Sequence, residues 1–193
     1  MRSLPLAPAP AASRLSHLRH LPRRSLVAGG GQVREICGSE GTDGRGAWVL
    51  QLVEFRGPVG TMSLGPHAVH MIAGIGGPQV EIGSAPPVGL RKERVLHRTG
   101  AHLEFRRPTL RAELSRILVL SRVRAAATPI LAFADLDGRG SLPEDVQAVV
   151  VRSGSVSADG LTAHAMDALI LPRSGAERLT VDSVDARVLL VVG

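Results

Sequence analysis

Aromatic residues are almost absent from this chain of 193 residues. Trp48, Phe55, Phe105 and Phe133 are the whole set, and there is no tyrosine. That scarcity removes the stacking platforms on which single-stranded nucleic acid is held. It also leaves valine, leucine, isoleucine and alanine to build the core. Cysteine is nearly missing too. Cys37 stands alone, which excludes an intramolecular disulfide and a thiolate metal cluster. A solitary cysteine fits a cytoplasmic setting, and Cys37 is expected as a small core residue rather than a nucleophile. No apolar run approaches the roughly 20 residues of a spanning helix, so no membrane contact is expected.

Basic charge is present but unevenly placed. The formal net charge is +6. Residues 1–34 hold six arginines and no acid, and the rest of the chain balances 17 basic against 17 acidic residues. A nucleic-acid footprint needs a basic patch on the folded surface. Here the excess sits in an N-terminal segment, so no nucleic-acid partner is expected. Residues 1–13, rich in proline and alanine, are expected to be a disordered extension.

Beyond that segment the pattern is strands. "AWVLQLVEF" (47–55), "AVHMIAG" (68–74), "PQVEIG" (78–83), "HLEFRRP" (102–108) and "SRILVLSRV" (115–123) are aliphatic or alternating, and glycine or proline bounds most of them. "VQAVVVRSGSVSADG" (146–160) reads as two strands around Ser153-Gly154. "DALILPRSG" (167–175), "ERLTVDS" (177–183) and "ARVLLVV" (186–192) follow as three more. Short strands with turns every 8–12 residues point to a sandwich or barrel. Only 109–126 also fits a helical period, and a strand from about 115 is the favoured reading. "DLDGRGSLPEDV" (135–146) lacks the third acidic position and closing glutamate of a calcium loop. It is expected to be a loop between modules. The same order of strand, small-residue turn and alternating strand recurs, so the expected division is 14–127 for N-terminal strands and a first module, and 128–193 for a second.

Two stretches carry a family resemblance. In the C-terminal half, Gly154, Asp167, "LILPRSG" and "RVLLVV" follow the order of a cupin half-barrel. In the N-terminal half, "SLVAGGGQVREI" (25–36) is similar to the Gly-Gly-Gly-x-Thr-Arg-Glu-Ile segment of the HutD/Ves family of two-cupin proteins. "WVLQLVEFRGPVGTMSLG" (48–65) resembles that family's next segment. The chain departs from it at Leu26-Val27-Ala28, where Trp-Lys-Asn is usual, at Val33, where threonine is usual, and at Val49 and Gln51, where polar positions follow the tryptophan. The resemblance covers roughly residues 15–192. It implies an all-β bicupin with little helix, linked to histidine utilisation, with no established catalysis. It also implies pairing into a homodimer through edge strands as an option.

The glycines themselves are not a phosphate cradle. A phosphate loop needs a Lys-Ser/Thr pair and a following helix, whereas "QVREI" is strand-like. Gly29–Gly31 are expected to shape the bend into a strand. Alternation sends Arg34 and Glu35 to opposite faces. An arginine inside a barrel needs a partner, and Arg34 is a fork for a ligand carboxylate, one half of an internal ion pair with another strand, or simply exposed. His67 and His70, three apart, point to opposite faces of a strand and chelate poorly, and Ala176 and Glu177 stand where a metal cupin carries histidine. No metal, no cofactor and no catalytic residue is therefore assigned. The expected ligand is a small anionic metabolite, with Arg34 supplying charge and Glu35, Gln51 and His70 as neighbours. A metal-dependent cupin dioxygenase or isomerase, or a purely structural or protein-binding bicupin, are the alternatives.

Overall fold

Valine, leucine and isoleucine in short runs, broken by glycine and proline, favour a pleated backbone over a helix. The computed structural model describes residues 12–39, 47–64, 68–83, 86–90, 93–108, 113–123, 129–172 and 180–193. Among them the chain is nearly all strand. The strands are β1 (Arg14–His17), β2 (Arg24–Ser25), β3 (Gly31–Ser39), β4 (Trp48–Phe55), β5 (Val59–Ser63), β6 (Ala68–Gly76), β7 (Glu81–Ile82) and β8 (Val88–Gly89). They continue with β9 (Leu96–Thr99), β10 (His102–Arg106), β11 (Ser115–Val123), β12 (Ile130–Ser141), β13 (Val146–Ala158), β14 (Leu161–His164), β15 (Asp167–Ile170) and β16 (Thr180–Val192). A 3-10 turn, Leu18–His20, follows β1. Among the described residues no helix is long and apolar enough to cross a membrane. Of the expected N-terminal extension, residues 1–11 lie outside the described residues, and Ser13 donates to Asp159.

Three sheets form. One six-stranded sheet has the order β2-β3-β4-β11-β6-β9, a four-stranded sheet has β5-β10-β7-β8, and a second six-stranded sheet has β1-β15-β13-β16-β12 with β14 beside β13. The first sheet is apolar on both faces, as its continuous aliphatic strands require. One face, with Val53, Phe55, Ile72, Ile117 and Val119, packs on Met62, Ile82, Leu103 and Phe105 of the four-stranded sheet. The opposite face, with Leu50, Leu52, Met71, Leu118 and Leu120, packs on Ala148, Val150, Ala168, Ile170, Leu189 and Val191 of the second six-stranded sheet. A third cluster, including Val149, Val151, Leu169, Val188 and Leu190, covers that sheet's other face. β1 pairs with β15, so the N-terminal strand shares a sheet with residues 130–192.

Two expectations are corrected. Residues 135–141 are not a loop: they continue β12, paired with β16 as far as Ser141↔Thr180. The Asp/Gly-rich sequence looks like a turn, but β12 is an edge strand, and its charged side chains stand in solvent while the backbone bonds to β16. Likewise 146–158 and 180–192 are each one continuous strand. The break expected at Gly154 is a bulge instead. Gly154 has φ +72°, and a Cβ there would lie 2.3 Å from the Val184 carbonyl oxygen, so glycine lets two long strands stay paired.

The triple glycine does shape a bend. Gly29 has φ +86°, and a Cβ would lie 2.1 Å from the Val59 carbonyl oxygen. At Gly31 a Cβ would lie 2.7 Å from the Phe55 Cβ. Gly29→Ala would meet both the left-handed backbone and the Val59 carbonyl. It should destabilise the protein by on the order of 2 kcal/mol, whereas Gly30→Ala, with nothing within 4 Å of its Cβ, should cost less; urea denaturation of the two variants checks this.

Candidate functional site

A charged cluster interrupts the apolar face that joins the two six-stranded sheets. Gln32, Glu54 and Arg116 are successive cross-strand partners on β3, β4 and β11, so their side chains share a face. Glu54 is 5% exposed. Its Oε2 accepts from Arg34 Nε at 3.1 Å and Gln32 Nε2 at 3.2 Å, and its Oε1 accepts from Arg116 Nε at 3.1 Å. Arg34 is 4% exposed, and its Nη1 donates to the carbonyls of Arg19 (2.9 Å) and Leu21 (2.7 Å). A buried arginine needs both a counter-charge and hydrogen-bond acceptors, and here it has them within the chain.

Arg116 also faces outward. With Arg152 of β13 it lines a cleft of about 380 Å³, together with Gly74, Gly76, Gly77, Pro78, Gln79, Val80, Leu90 and Ile117. Both arginines stand at irregularities of pairing: the β6–β11 register shifts between Arg116 and Ile117, and the β13–β16 register shifts between Val151 and Ser153. Bulges of this kind re-aim side chains. Arg152 stacks over Phe133, its guanidinium carbon 5.0 Å from the ring centroid. Its Nε is buried and has no hydrogen-bond partner among the described residues. Among the described residues, no acidic one lines the cleft. Two guanidinium groups from different sheets, one of them held through Nε by Glu54, favour an anion.

The residues singled out by sequence do not converge. Arg34 lies on the charged-cluster face, while Glu35 lies opposite, as alternation expects. Glu35 pairs with Arg24 at 2.8 Å. Gln51 is the register partner of Glu35 and Val119, on the face turned to the four-stranded sheet. His70 is on that face too, fully buried, with Nδ1 2.9 Å from Ser121 Oγ and Nε2 2.9 Å from the Gly100 carbonyl oxygen. Its Nε2–H donates to Gly100, so Nδ1 accepts from Ser121. Burial lowers its pKa below 6.5, with the Gly100 bond acting the other way. Cys37 is half-buried against the inter-sheet core. Burial pushes its thiol up to about 12, opposed by Arg14 and aided by Glu35, which is the state of an inert thiol.

Among the described residues no group of three or more His, Cys, Asp or Glu side chains could hold a metal ion. His67, Ala176 and Glu177 lie outside the described residues. Arg116 and Arg152 were not visible as a pair in the sequence. Each is one arginine in an aliphatic strand, and only the packing of two sheets brings them together.

No protein-family model matches the chain, and no curated protein matches it. Solved structures do. HutD from Pseudomonas fluorescens SBW25 superposes with a TM-score of 0.68 at 20% identity, over 93% of this chain and 97% of that one. A conserved protein of unknown function, PA5104 from Pseudomonas aeruginosa PAO1, gives 0.73 at 17% identity, over 94% and 98%. A cupin 2 conserved barrel domain protein from Leptotrichia buccalis gives 0.55 at 10% identity, over 96% and 99%. The chain therefore has a cupin-type fold like that of HutD.

Two outcomes check the site. Glu54→Ala leaves Arg34 buried without its counter-charge and should cost about 3–5 kcal/mol, against less than about 1.5 kcal/mol for Gln32→Ala, both read by urea denaturation. His70 gives a pH signature. With its folded pKa lowered, the unfolded chain takes up the proton first as pH falls below 6.5. The neutral ring's contribution is therefore complete above that value and lost as pH falls through the folded pKa. The melting temperature of the wild type should drop more between pH 7.5 and 5 than that of His70→Gln.

Proposed function

We propose that this protein is a HutD/Ves-like bicupin, two β-modules packed on each other, that binds a small anionic metabolite and modulates histidine or related amino-acid catabolism. The observation that carries the reading is the cleft with Arg116 and Arg152 on its walls and, among the described residues, no acid lining it. Its size, about 380 Å³, is that of a small-metabolite pocket. The charge expected of Arg34 is supplied there by two other arginines, because Arg34 is already bonded to Glu54 and to two backbone carbonyls. The HutD-like fold and the "GGGQVREI" segment point the same way. Fold alone assigns no function, so the ligand class rests on the cleft. A binding role fits better than a metalloenzyme role, since the cleft presents cations where a metal site would present donors.

In thermal-shift measurements at least one of urocanate and formylglutamate should raise the wild-type melting temperature and leave that of Arg152→Ala unchanged. No shift with either acid would remove the histidine-pathway assignment.

A further inference from the structure

The walls of the arginine cleft are more specific than its charge. Among the described residues, apart from Arg116, Arg152 and Gln79, they are apolar side chains or bare backbone. Val80, Leu90 and Ile117 belong to the core between the first sheet and the four-stranded sheet, so they are held by packing rather than free to rearrange. Gly74, Gly76 and Gly77 present backbone without side chains. A compact hydrated anion would meet the two guanidinium groups and leave this apolar surface wet. The volume of about 380 Å³ holds about a dozen water-sized atoms, far more than a carboxylate alone.

We propose, building on the anion-binding reading above, that the cleft takes a monocarboxylate with a flat apolar or aromatic body. The carboxylate bridges Arg116 and Arg152, and the body lies on the backbone of Gly74, Gly76 and Gly77 and on Pro78, backed by the packed Val80, Leu90 and Ile117. The ligand thus touches both six-stranded sheets, and its binding raises the stability of their contact. Glu54 holds Arg116 by Nε, which orients the rest of the guanidinium and keeps it from collapsing onto the cleft wall. Gly76 borders the arginine: a Cβ there would lie 4.0 Å from Arg116 Nη1, so a larger side chain at 76 would fill the cleft beside that guanidinium without changing its charge.

The test is calorimetry on the full chain at constant ionic strength with benzoate, formate, phosphate, succinate and the neutral benzamide. Benzoate should bind at least about tenfold more tightly than formate, phosphate or succinate, because only it buries an apolar ring. Benzamide should not bind. Arg152→Ala should lose benzoate by about tenfold or more. Gly76→Leu, which alters no charge, should lose benzoate by a similar factor. Formate, phosphate or succinate binding as tightly as benzoate, in an Arg152-dependent manner, would overturn the apolar-body inference and leave the anion reading standing. Benzoate binding that survives both Arg152→Ala and Gly76→Leu would overturn the placement in this cleft. Absence of Arg152-dependent binding by every anion would overturn both.

Discussion

One buried carboxylate organises the rest. Glu54 sits in the otherwise aliphatic contact between two sheets and accepts from Arg34, Gln32 and Arg116 at once. Taking an arginine and a glutamate out of water carries a large desolvation cost, offset only when both are fully hydrogen-bonded. Arg34 meets that condition by reaching the carbonyls of Arg19 and Leu21. Those carbonyls lie in the link between β1, which pairs in the second six-stranded sheet, and β2, which pairs in the first. The ion cluster therefore ties the N-terminal crossover to the central sheet. A non-polar substitute would fill the volume without fixing that link.

The same carboxylate connects fold to site. Its second oxygen holds Arg116, whose side chain lies partly in the core contact and partly in the cleft. Arg152 reaches the cleft from the other sheet, steadied by Phe133. The site thus exists only where the two sheets meet, and it depends on two pairing irregularities that aim the arginines inward. His70, by contrast, is satisfied on both ring nitrogens. It fixes the turn at Gly100 against β11 and has no ring nitrogen left for a ligand.

Much of this was legible in the sequence, and the reasons for the rest are physical. The strands β4, β6, β10 and β11 follow from aliphatic runs between glycines and prolines. The bend at Gly29 follows from a triplet that only backbone freedom explains. The opposite facing of Arg34 and Glu35 follows from the period of two. Residues 135–141 were misread because Asp and Gly signal turns locally, while an edge strand takes its order from its partner. The strand interruptions at Gly154 and within 180–192 were misread because a bulge and a turn share the same residues. The role of Arg34 was undecidable locally, since its partner Glu54 lies twenty residues away and its backbone acceptors belong to the N-terminal crossover. Arg116 and Arg152 could not be paired without knowing how the sheets stack.

The most direct measurement is a double-mutant cycle on Arg34→Leu and Glu54→Leu, followed by urea denaturation. If Glu54 is the anchor described, the two changes will be strongly coupled, by about 0.5–3 kcal/mol. The double variant will then be more stable than the two single losses sum to, because removing both charges leaves no stranded ion at their contact. Additive losses would mean that Arg34 and Glu54 act independently, and would contradict the account.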